Sequence, residues 1–447
     1  MKRSSTPLAV AVVGSGIAGL AAAWLLQQRH KVTLYERDER LGGHSNTVDV
    51  ADIEGNIAVD TGFIVYNTLN YPNLVALFQH LGVTTQPSDM SFAASLEDGA
   101  FEYSGTDLRG LVAQPGNLLK RRFWAMLGGI LRFYRAAPRL LAMPGAEQVS
   151  LGQYLEAEGY HPAFLHDHLL PMGAAIWSCT AEEMRDYPAA SFIRFFANHG
   201  LLRLAGRPQW RSVTGGSRAY IDRLVAPLAG HIRLKCPVRA VRRQPDGVLV
   251  EEAGGALARF DHVVLATHAD QALATLPDAS AEERQTLGAF RYARNEAVLH
   301  SDASLMPRRK RAWSSWNYMS LGSEGGTALC VSYWMNRLQA LDSRRDFFVT
   351  LNPVRQPSPD KVLRRFIYDH PGYDAAALAA QSRLWQLQGR RRTWFCGSYF
   401  GAGFHEDALQ AGLAVAEELG GVRRPWNVPD ESGRIRITRL LPAEAAA

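Results

Sequence analysis

Short apolar runs separated by glycines open the chain. Residues 8–13 form a continuous apolar run of strand length, as expected for a central parallel strand buried on both faces. Residues 20–26 have helical propensity, and residues 31–35 form a second strand-like run. The N-terminal part is therefore predicted to fold as a strand, a glycine-rich turn, a helix and a second strand.

The turn in this unit has the spacing of a phosphate-binding loop. Gly14 permits a tight turn, Gly16 lets a pyrophosphate approach the backbone, and Gly19 lets the helix pack closely on the strand. The N-terminus of the helix then faces the anion. Glu36 stands 22 residues after Gly14, where an acidic side chain accepts hydrogen bonds from an adenosine ribose. The pattern predicts a dinucleotide site.

A second glycine pair makes this site different from that of a plain nicotinamide dehydrogenase. Gly42 and Gly43, followed by His44, can bring further backbone N–H groups to the same pyrophosphate. No second motif of the GxGxxG type follows a strand in the sequence, so no separate NAD(P)H site is expected.

The amino-acid composition excludes several classes of protein but does not indicate a particular function. The 447 residues are 47% hydrophobic and 21% charged, the balance of a soluble globular protein with room for two or three domains. Disordered chains, collagen-like repeats and multi-span membrane proteins are excluded. The net charge of +6 is small, and no nucleic-acid partner is predicted.

Cysteine and histidine spacing argues against a metal site. The four cysteines, at positions 179, 236, 330 and 396, lie far apart and match no zinc or iron–sulfur spacing. They are typical of reduced thiols in a cytoplasmic protein. His161, His166 and His168 have no carboxylate or cysteine at ligand spacing, so no metal is expected.

Taken together, these motifs resemble the FAD fingerprint of the flavin amine oxidase superfamily, which includes monoamine-oxidase-like, phytoene-desaturase-like and protoporphyrinogen-oxidase-like enzymes. The matching segments are residues 13–20, 36–37, 41–44, 59–63, 214–218, 235–241, 260–267, 394–398 and 403–407. The resemblance implies FAD as cofactor, bound noncovalently because Cys396 does not stand where the superfamily carries its flavin-linked cysteine.

A narrower resemblance is to bacterial predicted NAD/FAD-binding oxidoreductases that are associated with enzymes of the cyclopropane-fatty-acid-synthase type. Residues 43–47, 63–67, 333–339, 350–353 and 403–407 carry it. It implies a hydrophobic small-molecule or lipid substrate and, as a partner, a lipid-modifying enzyme.

The implied fold class is α/β, with a Rossmann-like FAD domain of the glutathione-reductase type and an interleaved α+β substrate domain. The motif positions place residues 1–62, 214–285 and 393–447 in a discontinuous FAD-binding domain. Residues 63–213 and 286–392 then form the substrate domain, the first block rich in helices and the second containing strand-like runs at 328–333 and 347–351.

The resemblance also assigns the cofactor-binding residues. They are Gly14, Ser15, Gly16, Ile17, Ala18, Gly19, Glu36, Arg37, Gly42, Gly43, His44, Thr61, Gly62, Phe63, Val238, Gly397, Ser398, Phe404 and His405. A helix beginning near His405 would direct its positive dipole at the flavin ring.

Three residues are candidates for catalysis. His405 and Tyr66 are expected near the flavin, although His405 could instead only cap the helix. Related amine oxidases place a lysine near flavin N5, whereas residues 291–306 contain none, and His300 is the nearest titratable candidate. The position of the amine-cage tyrosine is held by Phe404. Both departures disfavour amine oxidation.

The stretch 120–141 combines basic residues with Phe, Trp and Leu. Its uninterrupted apolar part, 123–131, is too short to cross a bilayer, which needs about 20 residues. It predicts either an interfacial helix, placing the protein peripherally on the inner face of the membrane, or a core helix whose arginines reach water.

The preferred function is an FAD-dependent oxidoreductase that removes hydride from a hydrophobic substrate, desaturating a methyl-branched or unsaturated fatty acyl chain. Three alternatives stay open: a flavin amine oxidase that releases peroxide, an isomerase with no net redox change, and a flavoprotein without activity that serves a lipid-modifying enzyme.

Overall fold

The computed structural model describes residues 6–53, 55–177, 179–322 and 330–438. Helices and strands alternate along these ranges, and most of the strands belong to two large sheets. The α-helices span Ile17–Leu26, Pro72–Leu81, Leu108–Leu111, Arg121–Ala136, Leu151–Ala157, Pro162–Phe164, Leu170–Trp177, Ala181–Asp186, Ala189–Asn198, Arg218–Val225, Ala269–Ala274, Ala281–Leu287, Met335–Leu338, Ala375–Leu384 and His405–Gly420.

A parallel sheet holds the N-terminal strand at its centre. Its order is Ile232–Arg233, Lys31–Tyr35, Ala9–Val13, His262–Leu265 and Thr393–Phe395. These strands come from three separate parts of the sequence, residues 9–35, 232–265 and 393–395. The order places the glycine-rich turn after the central strand, next to the end of His262–Leu265.

Both faces of the parallel sheet are covered. The helix Ile17–Leu26 is buried along its whole length and packs against the helix His405–Gly420. A β-carbon on Gly412 would lie 2.1 Å from Ala18 O, so glycine is needed for this close crossing. On the other side lies an antiparallel sheet of Val238–Gln244, Gly247–Glu252 and Leu257–Phe260.

A second large sheet belongs to the substrate side. Its order is Val362–Gly372, Arg291–His300, Phe348–Leu351, Val331–Trp334, Trp316–Met319, Phe92–Leu96 and Phe101–Ser104. Trp316–Met319 pairs in parallel with Phe92–Leu96, and the other pairs are antiparallel. The two halves of the substrate side are thereby joined in one sheet. Two smaller sheets pair Thr47–Asp52 with Gly55–Asp60, and Val65–Asn67 and Thr85–Ser88 with Trp210–Val213.

The helix Arg121–Ala136 has an inner and an outer face. Phe123, Met126 and Phe133 are buried in the cores, whereas Trp124 and Leu131 are exposed. The structure therefore contains the core packing that one interpretation of this stretch predicts. Within the described ranges no helix has both the length and the hydropathy to span a membrane.

The predicted fold class is confirmed: the chain is α/β, with a parallel nucleotide-binding type of sheet and a mixed second sheet. The predicted strand at 31–35 has the same bounds in the structure. Part of the strand predicted at 328–333, residues 328 and 329, lies outside the described residues, and the described strand is Val331–Trp334. The domain bounds stay predictions.

Candidate active site

A cavity of about 990 Å³ begins at the carboxyl ends of the parallel strands and continues into the substrate side. This is the edge of an open α/β sheet at which ligands bind, and the volume is at the upper end of the range for ligand pockets, about 300–1,000 Å³. Of the predicted cofactor residues, all but Gly19 line it.

The glycine-rich turn forms the first wall. Gly14 has a φ of 101°, and a β-carbon there would lie 2.8 Å from Ala266 O. A β-carbon on Gly19 would lie 2.0 Å from Gly14 O, so Gly19 serves helix packing, away from the cavity. At Gly16 a β-carbon would meet nothing within 4 Å, so the backbone faces open space.

Glu36 lies at the end of the neighbouring strand and is 9% exposed. Its carboxylate accepts hydrogen bonds from Ser15 N at 3.0 Å, Ser15 Oγ at 2.5 Å and Asp38 N at 3.0 Å. These bonds fix the carboxylate at the cavity wall beside Arg37, in the position that a ribose-binding acid requires.

The second glycine pair lies against the first turn. A β-carbon on Gly43 would lie 3.1 Å from Gly16 Cα, so the two backbone segments are in close contact. His44 follows with its ring among His268, His370 and Tyr368, at centroid distances of 6.4, 5.3 and 5.0 Å.

His44 has an unused hydrogen-bonding atom. Its Nε2 is buried and makes no hydrogen bond within the described residues. Burial, with charge repulsion from His370 and His268, holds the pKa of His44 well below its usual range. The open space at Gly16 and the unpaired His44 Nε2 both fit a dinucleotide, whose pyrophosphate would supply the missing partner. The residues present therefore fit FAD.

The flavin end is built where the helix His405–Gly420 begins. Phe404 precedes the helix, and its backbone N–H donates to Asp407 Oδ2 at 2.7 Å. Thr61, Gly62 and Phe63 approach from another segment. Since the first N–H groups of a helix have no partners within it, this end presents a positive potential to a ligand.

His405 is held in place by two neighbours. Its ring stacks on Phe63 with a centroid distance of 3.8 Å and an interplanar angle of 9°, and its Nε2 lies 2.7 Å from Tyr220 Oη. Burial lowers the pKa of His405 to about 3. A neutral imidazole of this kind can hydrogen-bond, but it is a weak acceptor of protons from a substrate.

Glu406 and Asp407, the acids of the first turn, point away from the cavity wall. Glu406 accepts hydrogen bonds from Asn73 N and Leu74 N, both at 3.0 Å, and so joins two helix starts. Asp407 forms an ion pair with Arg434 at 2.6 Å. Their role is to fix the helix whose start faces the cavity.

The structure does not bring Tyr66 to the cavity. Side chains alternate along the strand Val65–Asn67, and Val65 takes the cavity side. Tyr66 is buried on the opposite side, against Tyr71 and Phe78 at centroid distances of 6.2 and 5.3 Å. Its assignment is corrected from candidate catalytic residue to core residue.

His300 is also a core residue. It ends the strand Arg291–His300, has no exposed surface and does not line the cavity. Its Nε2 lies 2.7 Å from Thr350 Oγ1, and its Nδ1 accepts the N–H of Asp302 at 3.0 Å. Both ring nitrogens are therefore used in the second sheet, away from the flavin end.

An aromatic wall faces the flavin end, and sequence reasoning did not identify it. Phe195 stacks on Phe404 at 4.8 Å and on His199 at 3.8 Å, and Trp177 lies 6.4 Å from Phe404. Trp177 and Phe195 belong to the helices Leu170–Trp177 and Ala189–Asn198, and His199 directly follows the second of them. The available signal was the concentration of aromatic residues in 63–213, which does not show which ring reaches the site.

Known proteins similar to this chain include enzymes acting on different substrates. A protein of Mycobacterium tuberculosis with the provisional name flavin-containing monoamine oxidase AofH is 30% identical over 270 residues, 56% of this chain and 55% of that protein. The chain thus spans about half the length of this curated relative.

Two solved structures show the same fold at low identity. A putrescine oxidase with bound putrescine matches with a TM-score of 0.66 and 16% identity, over 93% of this chain and 99% of that one. A CLA-producing fatty acid isomerase from P. acnes matches with a TM-score of 0.64 and 15% identity, over 93% of this chain and 98% of that one.

The family model for flavin containing amine oxidoreductases matches residues 17–300. This range covers more than half of the chain and includes Gly19, the last glycine of the turn, together with Glu36 and the second glycine pair. The chain therefore belongs to the flavin-containing amine oxidoreductase family, and its cofactor is FAD.

Proposed function

We propose that the chain is an FAD-dependent oxidoreductase that desaturates a long fatty acyl chain. The observation that carries the proposal is the apolar part of the cavity beyond the flavin end. Its wall contains Met90, Phe92, Leu111, Leu127, Ile130, Leu131, Met172, Ile176, Leu201 and Leu204. A lining of this kind suits a hydrocarbon chain, because each buried methylene contributes about 0.8 kcal/mol to binding.

The same wall offers little to an amine. Asp89 lines the cavity next to Met90 and Phe92, and it is already paired with Arg337 at 2.9 Å. Asp369 also lines the cavity, but it lies near His268 and His370. Asp89 also accepts a hydrogen bond from Ser315 at 2.9 Å. A cationic substrate would therefore lose its hydration without gaining a free counter-charge, which is costly in a buried site.

The flavin end supports removal of hydride from an allylic or branched carbon of the acyl chain, while the neighbouring carbon loses a proton to solvent. FAD, when bound, supplies the hydride acceptor. The chain's own residues contribute the positive potential of the helix start at His405 and an aromatic wall that excludes water. Because its pKa is lowered to about 3, His405 is suited to hydrogen bonding with Tyr220 at the flavin end and not to removing a proton from the substrate.

Two features of related proteins support an acyl substrate. The solved neighbours include a fatty acid isomerase as well as a putrescine oxidase. The sequence resembles bacterial proteins associated with cyclopropane-fatty-acid-synthase-type enzymes, and we include such a lipid-modifying enzyme in the proposal as a partner. The absence of lysine from residues 291–306 and the presence of Phe404 count against an amine oxidase.

The test is anaerobic reduction of the FAD-loaded protein. Addition of a detergent-dispersed phospholipid with a monounsaturated or methyl-branched chain should bleach the flavin band and give a product lighter by two hydrogens. The glycerophosphate headgroup without acyl chains is the control and should not bleach it. Bleaching by polyamines with peroxide release in air, a product of unchanged mass, or a flavin that no acyl lipid reduces would each overturn the proposal.

A further inference from the structure

The cavity has a second opening at the end opposite the nucleotide site. Leu131 and Leu204 both line the cavity, yet they are 40% and 71% exposed. Leu131 lies on the helix Arg121–Ala136, and Leu204 lies in the segment 201–207. Arg207 of that segment lines the cavity and lies close enough to hydrogen-bond Tyr134 of the helix. The opening therefore lies between the helix and the segment.

Large apolar side chains are exposed on this helix, on the segment 201–207 and on the two short helices that precede the helix in the sequence. We call them the mouth patch. They are Leu108, Leu118, Leu119, Trp124, Leu131 and Leu204, with exposures of 80%, 41%, 91%, 57%, 40% and 71%. Trp124 Nε1 donates to Leu118 O at 2.8 Å, so the helix and the preceding turn form one surface. A grouping of this kind marks an interaction site, whereas single exposed leucines do not.

Helix geometry places charge beside these apolar residues. Trp124, Leu131 and Arg135 are spaced by seven and four residues, which puts them on one face of the helix Arg121–Ala136. This outer face is opposite the buried Phe123 and Met126. It has the apolar residues and cations that an interfacial helix presents to a bilayer.

Two other cations of the same helix are already paired with carboxylates. Arg122 pairs with Asp167 at 2.6 Å, and Arg132 pairs with Glu158 at 3.3 Å. The outer cations have no carboxylate partner in the part of the chain that the structure describes. They are Arg109, Arg121, Arg135, Arg139 and Arg203, all exposed. Asp107 is nearby, but its carboxylate is bonded to Gly110 N at 2.6 Å.

We infer that the mouth patch docks on the surface of an anionic phospholipid bilayer and that an acyl chain enters the cavity beside Leu131 and Leu204. The charge of the outer cations selects an anionic surface, and the exposed leucines and Trp124 enter the boundary between headgroups and acyl chains. The identity of the entering chain rests on the proposed function. Docking itself does not depend on turnover.

Vesicle flotation of the FAD-loaded protein tests the docking. The protein should be recovered in the floating fraction with vesicles that contain phosphatidylglycerol, and far less of it with vesicles of phosphatidylcholine alone. Added salt should weaken the binding. Replacing both Arg121→Gln and Arg135→Gln should lower the affinity on the order of thirtyfold, because each cation near an anionic surface contributes about 1 kcal/mol. The double change Leu108→Asp with Leu119→Asp should lower it by on the order of tenfold or more.

Leu257→Asp is the matched control. Leu257 is 60% exposed in the antiparallel sheet next to the nucleotide site, so its replacement should leave vesicle binding unchanged. Quenching of tryptophan emission by brominated phosphatidylglycerol should be reduced in Trp124→Phe, because this ring is expected to enter the bilayer.

The outcomes separate docking from chemistry. Loss of vesicle binding in the mouth-patch variants, with flavin reduction by detergent-dispersed acyl lipid retained, supports the inference. Failure of the wild-type protein to bind anionic vesicles overturns it and leaves the proposed function standing. Vesicle binding that the mouth-patch variants do not weaken would also overturn the inference. Dimer formation through the patch in place of vesicle binding would overturn it as well. Vesicle binding without any flavin reduction overturns the proposed function and leaves the docking surface standing.

Discussion

At the scale of single residues, the cavity separates groups that hold the cofactor from groups that hold the fold. Glu36 is fixed by Ser15 and Asp38 at the cavity wall, whereas His300 is enclosed by Thr350 and Asp302 in the second sheet. Both side chains are titratable and both are buried in the structure. Only the groups around each carboxylate or imidazole distinguish their roles. Each role leads to a different experimental consequence.

Glu36→Gln should weaken FAD binding by roughly ten- to a hundredfold, because hydrogen bonds to a charged group contribute about 1.5–3 kcal/mol. The change removes the carboxylate that would accept from the ribose and disturbs the turn at Ser15. Quenching of FAD fluorescence on titration with the apoprotein measures it. Glu39→Gln is the control, since Glu39 is a surface residue paired with Lys235. Equal affinity in the two variants would contradict the role of Glu36.

His300→Gln should change stability and leave flavin reduction within about twofold. The variant loses hydrogen bonds, at a cost of about 1–3 kcal/mol at pH 8. Burial lowers the pKa of His300 to about 4 in the folded state, against 6.5 when unfolded. Below pH 6.5 the unfolded wild type gains a proton that the folded form refuses, so the wild type loses stability down to about pH 4.

The stability advantage of the wild type over His300→Gln should therefore fall as the pH drops from 6.5 to 4, by up to about 1.4 kcal/mol per pH unit, and should vanish or reverse near pH 4. Urea unfolding across this range measures it. A difference that stays constant, or a large loss of flavin reduction at pH 8, would return His300 to the active site.

At the scale of elements, the flavin end depends on how closely two helices approach. The helix His405–Gly420 crosses Ile17–Leu26 at Gly412, where a β-carbon would lie 2.1 Å from Ala18 O. The start of one helix faces the flavin end and the start of the other faces the pyrophosphate position. Their crossing point thus sets the distance between the two halves of the cofactor site.

Gly412→Ala should separate these helices, with a loss of about 1–3 kcal/mol in the free energy of unfolding and weaker retention of FAD on gel filtration. Gly128→Ala is the matched change in another helix, where a β-carbon meets nothing within 4 Å. That variant should gain about 0.5–1 kcal/mol and keep FAD. Full FAD retention by Gly412→Ala would show that the crossing is not needed for the site.

The elements nearest the glycine motifs could be predicted from the sequence, because local spacing determines them. The strand at 31–35 and the helix starting at His405 were predicted at or near their observed positions. Tyr66 was placed wrongly because a shift of one residue along a strand moves a side chain to the other face. Trp177 and Phe195 reach the cavity only because helices from distant parts of the sequence pack there. A local sequence pattern does not predict this packing.

At the scale of the whole molecule, one cavity joins a nucleotide site at the parallel sheet to an opening under the helix Arg121–Ala136. The family gives the cofactor, and in the proposed function the apolar part of the cavity selects the substrate. The apolar wall, the paired Asp89 and the cations around the opening all favour a lipid chain over an amine.

Blocking the cavity while leaving both of its ends intact tests the central claim most directly. Ile130 lines the apolar part and is partly buried, so Ile130→Trp should fill the path of an acyl chain. The measurement is the anaerobic rate of flavin reduction by detergent-dispersed acyl phospholipid, with dithionite as the small reductant. We expect Ile130→Trp to slow reduction by the lipid at least tenfold and to leave reduction by dithionite and FAD content unchanged. Equal rates with the lipid in both proteins, or no reduction by the lipid in the wild type, would contradict the account.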